Sequence, residues 1–411
     1  MKIPSKLKKA SYGLLPGMIG LLIISCANQP NSNAEAAVAK KDTVKKIVAD
    51  TTRPQKADSI LRVINRKYND IARYIAGMKA DSGSPYAKYE TDSVWMKFHK
   101  EFDTAFQDLT EKRLIPMAKW ASTELAQEQK SNLNIFYPLS GPDILHANTF
   151  FPNAKQYHLY ALERNGALPD LDKMKKKDRE NYIKEVYSSL GDVFTKSYFI
   201  TRKMMTALTA DNVNGTLPLI CVFLVRTGHT ILNVEYCHLN NNGSETTLNK
   251  DSLGTHHNDF VRVYFQDSKG DPTQLVSYMR CNIQNEYYVK DTALQNYFAK
   301  MSQSITYLKS ASYILHYKQF TSFKDVILSK SKSILEDDTG IPYKYLTKDK
   351  WDVTLYGVYD KPVKDFSGVF QEDLQKAYQD TAVNKVRKLP FSLGYHWGSS
   401  KQNLIKARLR S

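Results

Sequence analysis

The chain has 411 residues, 42% of them apolar, 24% charged and 11% aromatic, which excludes a wholly disordered or fibrous protein and leaves room for one large globular body or two ordinary ones. The formal net charge of +16 overstates how basic that body is, since from Ala57 onward 48 basic residues face 39 acidic ones. So mild and unclustered an excess excludes a nucleic-acid binder, and it admits an anionic envelope polymer or head group as partner.

The chain opens with Lys2, Lys6, Lys8 and Lys9, followed by an apolar stretch from Leu14 to Ile24 that Pro16, Gly17 and Gly20 interrupt. A basic start and a short, broken apolar run read as a signal peptide over residues 1–25 rather than a membrane span. Ile23-Ile24-Ser25-Cys26 resembles the lipobox of bacterial lipoproteins, in which the cysteine becomes the mature N-terminus and carries acyl chains. An ordinary signal peptide with an incidental cysteine is the alternative. Residues 26–56 hold few large apolar groups and read as a disordered tether. Membrane attachment through Cys26, at the outer membrane with the body facing the periplasm, is therefore expected, with a single domain over 57–411.

Ile60, Leu61, Ile64, Tyr68, Ile71, Ile75 and Met78 recur at helical spacing behind Asp58, and a second helix follows Thr91 with Val94, Phe98, Phe102, Phe106 and Leu109 on one face. That helix is expected to kink or break near Pro116. Next comes a strand from Leu133 to Tyr137, a tight turn at Ser140-Gly141-Pro142-Asp143, a short helix, and a second strand over Tyr157 to Leu162 that ends on Glu163. Asp172 to Ala210 reads as helical. Leu217 to Val225 is continuously apolar and reads as a strand buried on both faces, joined in a hairpin through Arg226-Thr227-Gly228-His229 to a strand over Ile231 to Leu239.

Beyond a polar loop at 240–258, a second hairpin pairs Phe260 to Gln266 with Gln274 to Ile283. Helices are predicted at 293–302, 304–316 and 322–336, a strand at 353–358, a helix at 371–378 and a last strand at 391–397. The fold class predicted is α/β: a mixed sheet with an N-terminal βαβ unit and later antiparallel hairpins, sandwiched between helical layers. Cys221, Cys237 and Cys281 read as buried small hydrophobes, with one disulfide plus one free thiol as the alternative.

The segments Phe136 to Asp143, Phe150 to Ala154, Arg226 to His229 and Leu335 to Tyr343 resemble those of an uncharacterised family of bacterial envelope lipoproteins and secreted proteins. The resemblance spans roughly 134–378, agrees with the envelope compartment and carries no activity with it.

A strand-to-helix turn exposes unpaired amides and the positive end of a helix dipole, so Ser140, Gly141 and Asp143 are candidate ligand-binding residues. Ser140 and Asp143 as plain helix caps are the alternative. Glu163 ends the next strand, where parallel pairing would bring it to the same sheet edge. Arg226 and His229 would face these acids if their hairpin ran parallel to the first strands. Asp337 and Asp338 end a predicted helix, against its dipole, and are further candidates. No nucleophile elbow, phosphate loop or metal-ligand spacing is present, so no cofactor and no metal are expected. Two functions remain open: a ligand- or partner-binding envelope lipoprotein, or an envelope hydrolase or transferase using Asp143, Glu163 or His229 as acid or base.

Overall fold

The computed structural model describes residues 65–209, 213–249, 258–270, 272–380, 385–399 and 401–410. The readings of a signal peptide over 1–25, of lipidation at Cys26, of a tether over 26–56 and of a helix beginning before residue 65 fall outside the described residues. Among the described residues, four α-helices lead: Arg66–Ile75 (α1), Ser93–Leu109 (α2), Ile115–Glu124 (α3) and Ala126–Lys130 (α4). The kink foreseen near Pro116 is a π-turn over Thr110–Leu114, after which Pro116 sits in the first turn of α3, where its missing N–H costs nothing.

The βαβ unit follows as read: Ile135–Pro138 (β1), Ile144–Phe150 (α5) and Gln156–Ala161 (β2). Three helices cover the next stretch, Lys176–Ser189 (α6), Gly191–Lys196 (α7) and Thr201–Ala207 (α8). Leu217–Arg226 is then a helix (α9), not the strand predicted, and every residue from Leu217 to Val225 is buried. A helix buried on all sides has no apolar period to read, and the β-branched Ile220, Val222 and Val225 mimic a strand. Pro218, in its first turn, was the local sign of a helix start.

Thr230–Leu239 (β3), Glu245–Leu248 (β4), Asp259–Gln266 (β5) and Gln274–Arg280 (β6) come next, then Asn285–Tyr288 (α10) and Thr292–Lys300 (α11). Two further readings are corrected here. The segment predicted as a helix over 304–316 begins with a strand, Ser304–Leu308 (β7), and the helix predicted over 322–336 is Thr321–Lys330 (α12) running without a break into Ser331–Glu336 (β8). No glycine or proline separates α12 from β8, so nothing local marks the change of period. Trp351–Gly357 (β9) and Glu372–Gln379 (α13) agree with expectation, whereas the last strand is Asn403–Leu409 (β10) and 394–396 is only a turn of 3₁₀-helix.

Among the described residues, ten strands form one sheet, in the order β4-β3-β5-β6-β2-β1-β7-β8-β10-β9. The five central strands, β6, β2, β1, β7 and β8, are parallel, and antiparallel strands extend the sheet on both sides. From β1 the chain first builds β2 on one side and later β7 on the other. The order therefore reverses at β1, and a crevice opens at the carboxyl ends of the strands on either side of such a reversal.

Side chains alternate across the sheet and feed two cores. Tyr137, Tyr157, Leu159 and Tyr307 face the layer that contains α1, α2, α3 and α9, while Phe136, Tyr160 and Leu308 face the layer of α11, α12 and α13. Phe136 meets Tyr160 and Phe298 at ring distances of 5.6 and 5.7 Å, and Tyr137 meets Tyr307 at 4.5 Å. These rings hold the central strands rigid on both faces, and the loops at the carboxyl ends are built on that support.

Candidate functional site

The turn after β1 is tight because it uses two left-handed residues, Leu139 at φ 63° and Gly141 at φ 55°. Pro142 then starts the helical direction, and the Asp143 side chain accepts a hydrogen bond from the His146 N–H at 3.2 Å, capping α5. Asp143 does more than cap. Its Oδ1 lies 2.7 Å from His146 Nδ1, and its Oδ2 accepts from the Tyr137 hydroxyl at 2.9 Å and from Lys309 Nζ at 2.6 Å. Lys309 is the first residue after β7, the strand across the sheet reversal from β2, and its amine also donates to the Ser197 carbonyl at 2.9 Å and touches His146 Nδ1 at 2.9 Å. His146 Nε2 in turn is 3.1 Å from Ser197 Oγ.

Burial alone would raise the Asp143 carboxyl, but His146 and Lys309 outweigh it and hold it well below the usual carboxylate range. Burial pushes the His146 imidazole and the Lys309 amine down, the latter despite Asp143. At neutral pH an ionised Asp143 therefore stands between the Lys309 amine and a neutral imidazole. The Asp143–His146–Ser197 chain has the connectivity of a serine-hydrolase triad. Ser197 is fully buried and is absent from the cavity wall, so its hydroxyl is a structural partner of His146 in this conformation.

A cavity of about 390 Å³ opens beside this cluster, and Ser140, Gly141, Asp143, Glu163 and Lys309 all line it. Tyr198, Thr201, Ser312, Asp365, Phe366 and Tyr395 close the other walls. Glu163, only 2% exposed, has one carboxyl oxygen, Oε2, without a hydrogen-bond partner. Burial drives its carboxyl upward, and hydrogen bonds such as that from Thr201 offset this only in part. Two carboxylates on one wall are thus pushed apart in acidity, Asp143 down and Glu163 up.

Backbone strain gathers at the same place. Of six non-glycine residues with positive φ among those described, Leu139, Ser310 and Ser312 line the cavity, Ser197 bonds directly to Lys309, and Tyr313 bonds to Asp338 behind the wall. Such conformations cost roughly 1–3 kcal/mol each and persist where the surroundings impose them, most often at functional sites.

Asp337 and Asp338 follow β8 and lie immediately behind this wall. Asp337 Oδ2 accepts from the Ser310 N–H at 2.9 Å, and burial together with the neighbouring Asp338 charge pushes its carboxyl up to about 6. Asp338 ties three segments together, accepting from Tyr313, from Asn403 at 3.0 Å and from His396 Nε2 at 3.1 Å. Tyr395, next to His396, hydrogen-bonds Ser312 at 2.6 Å and meets Tyr198 edge-on with ring centres 4.6 Å apart. Asp338 therefore anchors the segments that roof the cavity without entering it.

Arg226 and His229 do not join the site, which corrects the expectation that they face the acids. Thr216 and Leu217 hydrogen-bond the carbonyls of Arg164 and Asn165, so α9 starts near the carboxyl end of β2. Ten helical residues then carry the chain about 15 Å back along the sheet. Because β3 runs in the same direction as β6 and β2, its first residue lies at the amino edge. There the Arg226 guanidinium binds the Ala76 carbonyl at 2.7 Å, pairs with Asp103 and stacks 4.3 Å from the Phe102 ring centre, while His229 packs edge-on against Phe265 at 5.2 Å. Burial lowers both groups.

The cation that faces Asp143 is Lys309, which sequence reasoning missed because β7 reads as a helix. His146 was legible in principle, standing one helical turn after the capping Asp143. Tyr395 had no local signal. Among the described residues, no group of three His, Cys, Asp or Glu side chains is placed to hold a metal ion. Cys221, Cys237 and Cys281 are all buried and free, which leaves the disulfide alternative unused. Comparison of the chain with protein-family models, curated proteins and solved structures returns no match.

Proposed function

We propose that the chain is a lipid-anchored envelope protein whose body binds a small, hydroxyl-rich, neutral or zwitterionic ligand in the cavity at the carboxyl ends of β1, β2 and β7. The observation that carries this reading is the Glu163 Oε2 atom, buried in the cavity wall with nothing to bond. An unpaired buried polar group is costly, and a ligand hydroxyl or amine would relieve that cost. Hydroxyls of Ser140, Thr201 and Ser312 and the rings of Tyr198, Phe366 and Tyr395 supply the polar points and apolar faces that a saccharide-like molecule uses. Asp143, Glu163 and Asp365 outnumber Lys309 on the wall, and Asp143 already fills the amide end of α5. The anionic ligand expected from overall charge is for that reason disfavoured.

Thermal unfolding with a panel of mono- and disaccharides, and with phosphate and citrate as anionic counterparts, tests the ligand class. A midpoint raised by a saccharide in the wild type and not in Glu163→Gln supports it. Stabilisation by phosphate alone would overturn it. For the anchor, a clickable fatty acid should label the wild type and not Cys26→Ser, and equal labelling of both would remove that part of the proposal.

A second reading, an acid–base hydrolase or transferase, is favoured by one observation: Asp143 and Glu163 share a wall with their acidities driven in opposite directions. Turnover of nitrophenyl glycosides or esters that Glu163→Gln abolishes, with a pH–rate limb above the ordinary glutamate range, would select it.

A further inference from the structure

Lys309 is a site group whose chemistry neither reading uses. Its amine is 4% exposed, lies in the wall of the cavity and is fixed from three directions, by Asp143 Oδ2, the Ser197 carbonyl and His146 Nδ1. A static ion pair needs only the first two contacts. The third gives the ammonium proton a place to go.

When His146 Nδ1 carries no hydrogen, Lys309 donates to it directly at 2.9 Å and His146 Nε2–H donates to Ser197 Oγ at 3.1 Å. Transfer of that proton leaves a neutral amine and an imidazolium, and Asp143 Oδ1 already stands 2.7 Å from the imidazolium N–H that forms. The net charge of the buried cluster does not change, because Asp143 exchanges one cationic partner for another within contact distance. No charge has to be brought in from water. Burial pushes the Lys309 amine below its ordinary value and opposes protonation of His146 as well, and the Asp143 charge beside the ring favours the imidazolium.

We propose that Lys309 is a nucleophilic amine that condenses reversibly with an aldehyde or ketone group of the ligand in this cavity. This rests on the cavity being a ligand site for hydroxyl-rich molecules and names the reactive group such a ligand carries, as in a hydroxy-aldehyde, hydroxy-ketone or open-chain sugar. The Lys309 nitrogen lone pair forms a bond to the carbonyl carbon, and the carbonyl π pair moves to oxygen, which takes up a proton. The resulting carbinolamine loses that oxygen as water while nitrogen gives up its proton and the C=N bond forms. The overall change is amine plus carbonyl to imine plus water, with no net change of oxidation state. Glu163, the wall group with a free carboxyl oxygen and an acidity shifted toward the protonated form, is the acid that protonates the departing oxygen.

The test uses the full chain at neutral pH with glyceraldehyde or dihydroxyacetone as separate probes, borohydride to reduce any imine to a stable secondary amine, and peptide mapping by mass spectrometry. Lys309 should be modified at least about tenfold faster than any exposed lysine, since those are held protonated by water. Lys309→Arg, which preserves a cation for Asp143, should lose that adduct while its circular dichroism is unchanged. His146→Gln should slow the modification at Lys309 alone. Adducts spread over surface lysines with Lys309 unmodified would overturn the inference, and the wild-type map decides this even if a variant fails to fold. Where a saccharide still raises the thermal midpoint but Lys309 stays unmodified, only the covalent step fails. Where neither is seen, the ligand reading fails with it.

Discussion

Asp143 and Glu163 carry the same functional group and experience opposite surroundings. Asp143 has every oxygen lone pair engaged and a lysine at 2.6 Å, so its ionised form is strongly favoured in the fold. A depressed carboxyl contributes stability above its unfolded value of about 4 and loses it as pH falls below that. Glu163 is raised, so its contribution is present below the unfolded value and is lost as pH rises through the folded one. Asp143→Ala is accordingly expected to destabilise by about 3–5 kcal/mol at pH 7, because it strands a buried lysine. Urea unfolding measures this, and a loss under about 1 kcal/mol would show that Lys309 does not depend on Asp143. Glu163→Gln should be neutral or slightly stabilising at pH 8, within about 1 kcal/mol, and should flatten the decline of stability as pH rises above the ordinary glutamate range. Asp337 behaves in the same sense. With its carboxyl at about 6, Asp337→Asn should abolish a loss of stability that the wild type shows as pH rises from about 4 to 7.

Arg226 closes α9, and its guanidinium fastens that helix to the end of α1 through the Ala76 carbonyl and to α2 through Asp103 and Phe102. Arg226→Ala should therefore cost about 2 kcal/mol of stability through lost packing and hydrogen bonds, and should leave ligand binding at the carboxyl edge untouched. Denaturation and a ligand-induced thermal shift, measured on one sample, separate the two effects. A variant that folds normally but no longer binds would return Arg226 to the site. The fold also explains why α9 itself was misread, whereas β3, β5 and β6 were not. These strands alternate between sheet faces or carry turns at their ends, while α9 is apolar all round and offers only Pro218 as a marker.

Across the whole molecule, one continuous sheet with a core on each face leaves the three described cysteines without partners. Burial raises all three thiols, Cys237 to about 11, Cys281 to about 12 and Cys221 further still. A thiol reagent should find none of them reactive in the native body and all three reactive in denaturant, under non-reducing conditions. One thiol after unfolding instead of three would mean that a disulfide forms.

What the amino-acid sequence determined by itself is what local rules govern. The β1–turn–α5–β2 unit, the capping role of Asp143 and the place of Glu163 at the end of the next strand follow from residues within a few positions of one another, through proline geometry, side-chain capping and strand length. From these it was also legible that Ser140, Gly141, Asp143 and Glu163 share an edge, since parallel strands joined by a right-handed crossover have no other arrangement. Which cation faces them was decided only by tertiary structure. Lys309 reaches Asp143 because β7 inserts beside β1, and that strand order depends on burial across the whole sheet rather than on any pattern within 304–316. Arg226 was carried to the far edge by the same cause, a continuous apolar run whose period cannot be read until the elements around it show which faces are covered.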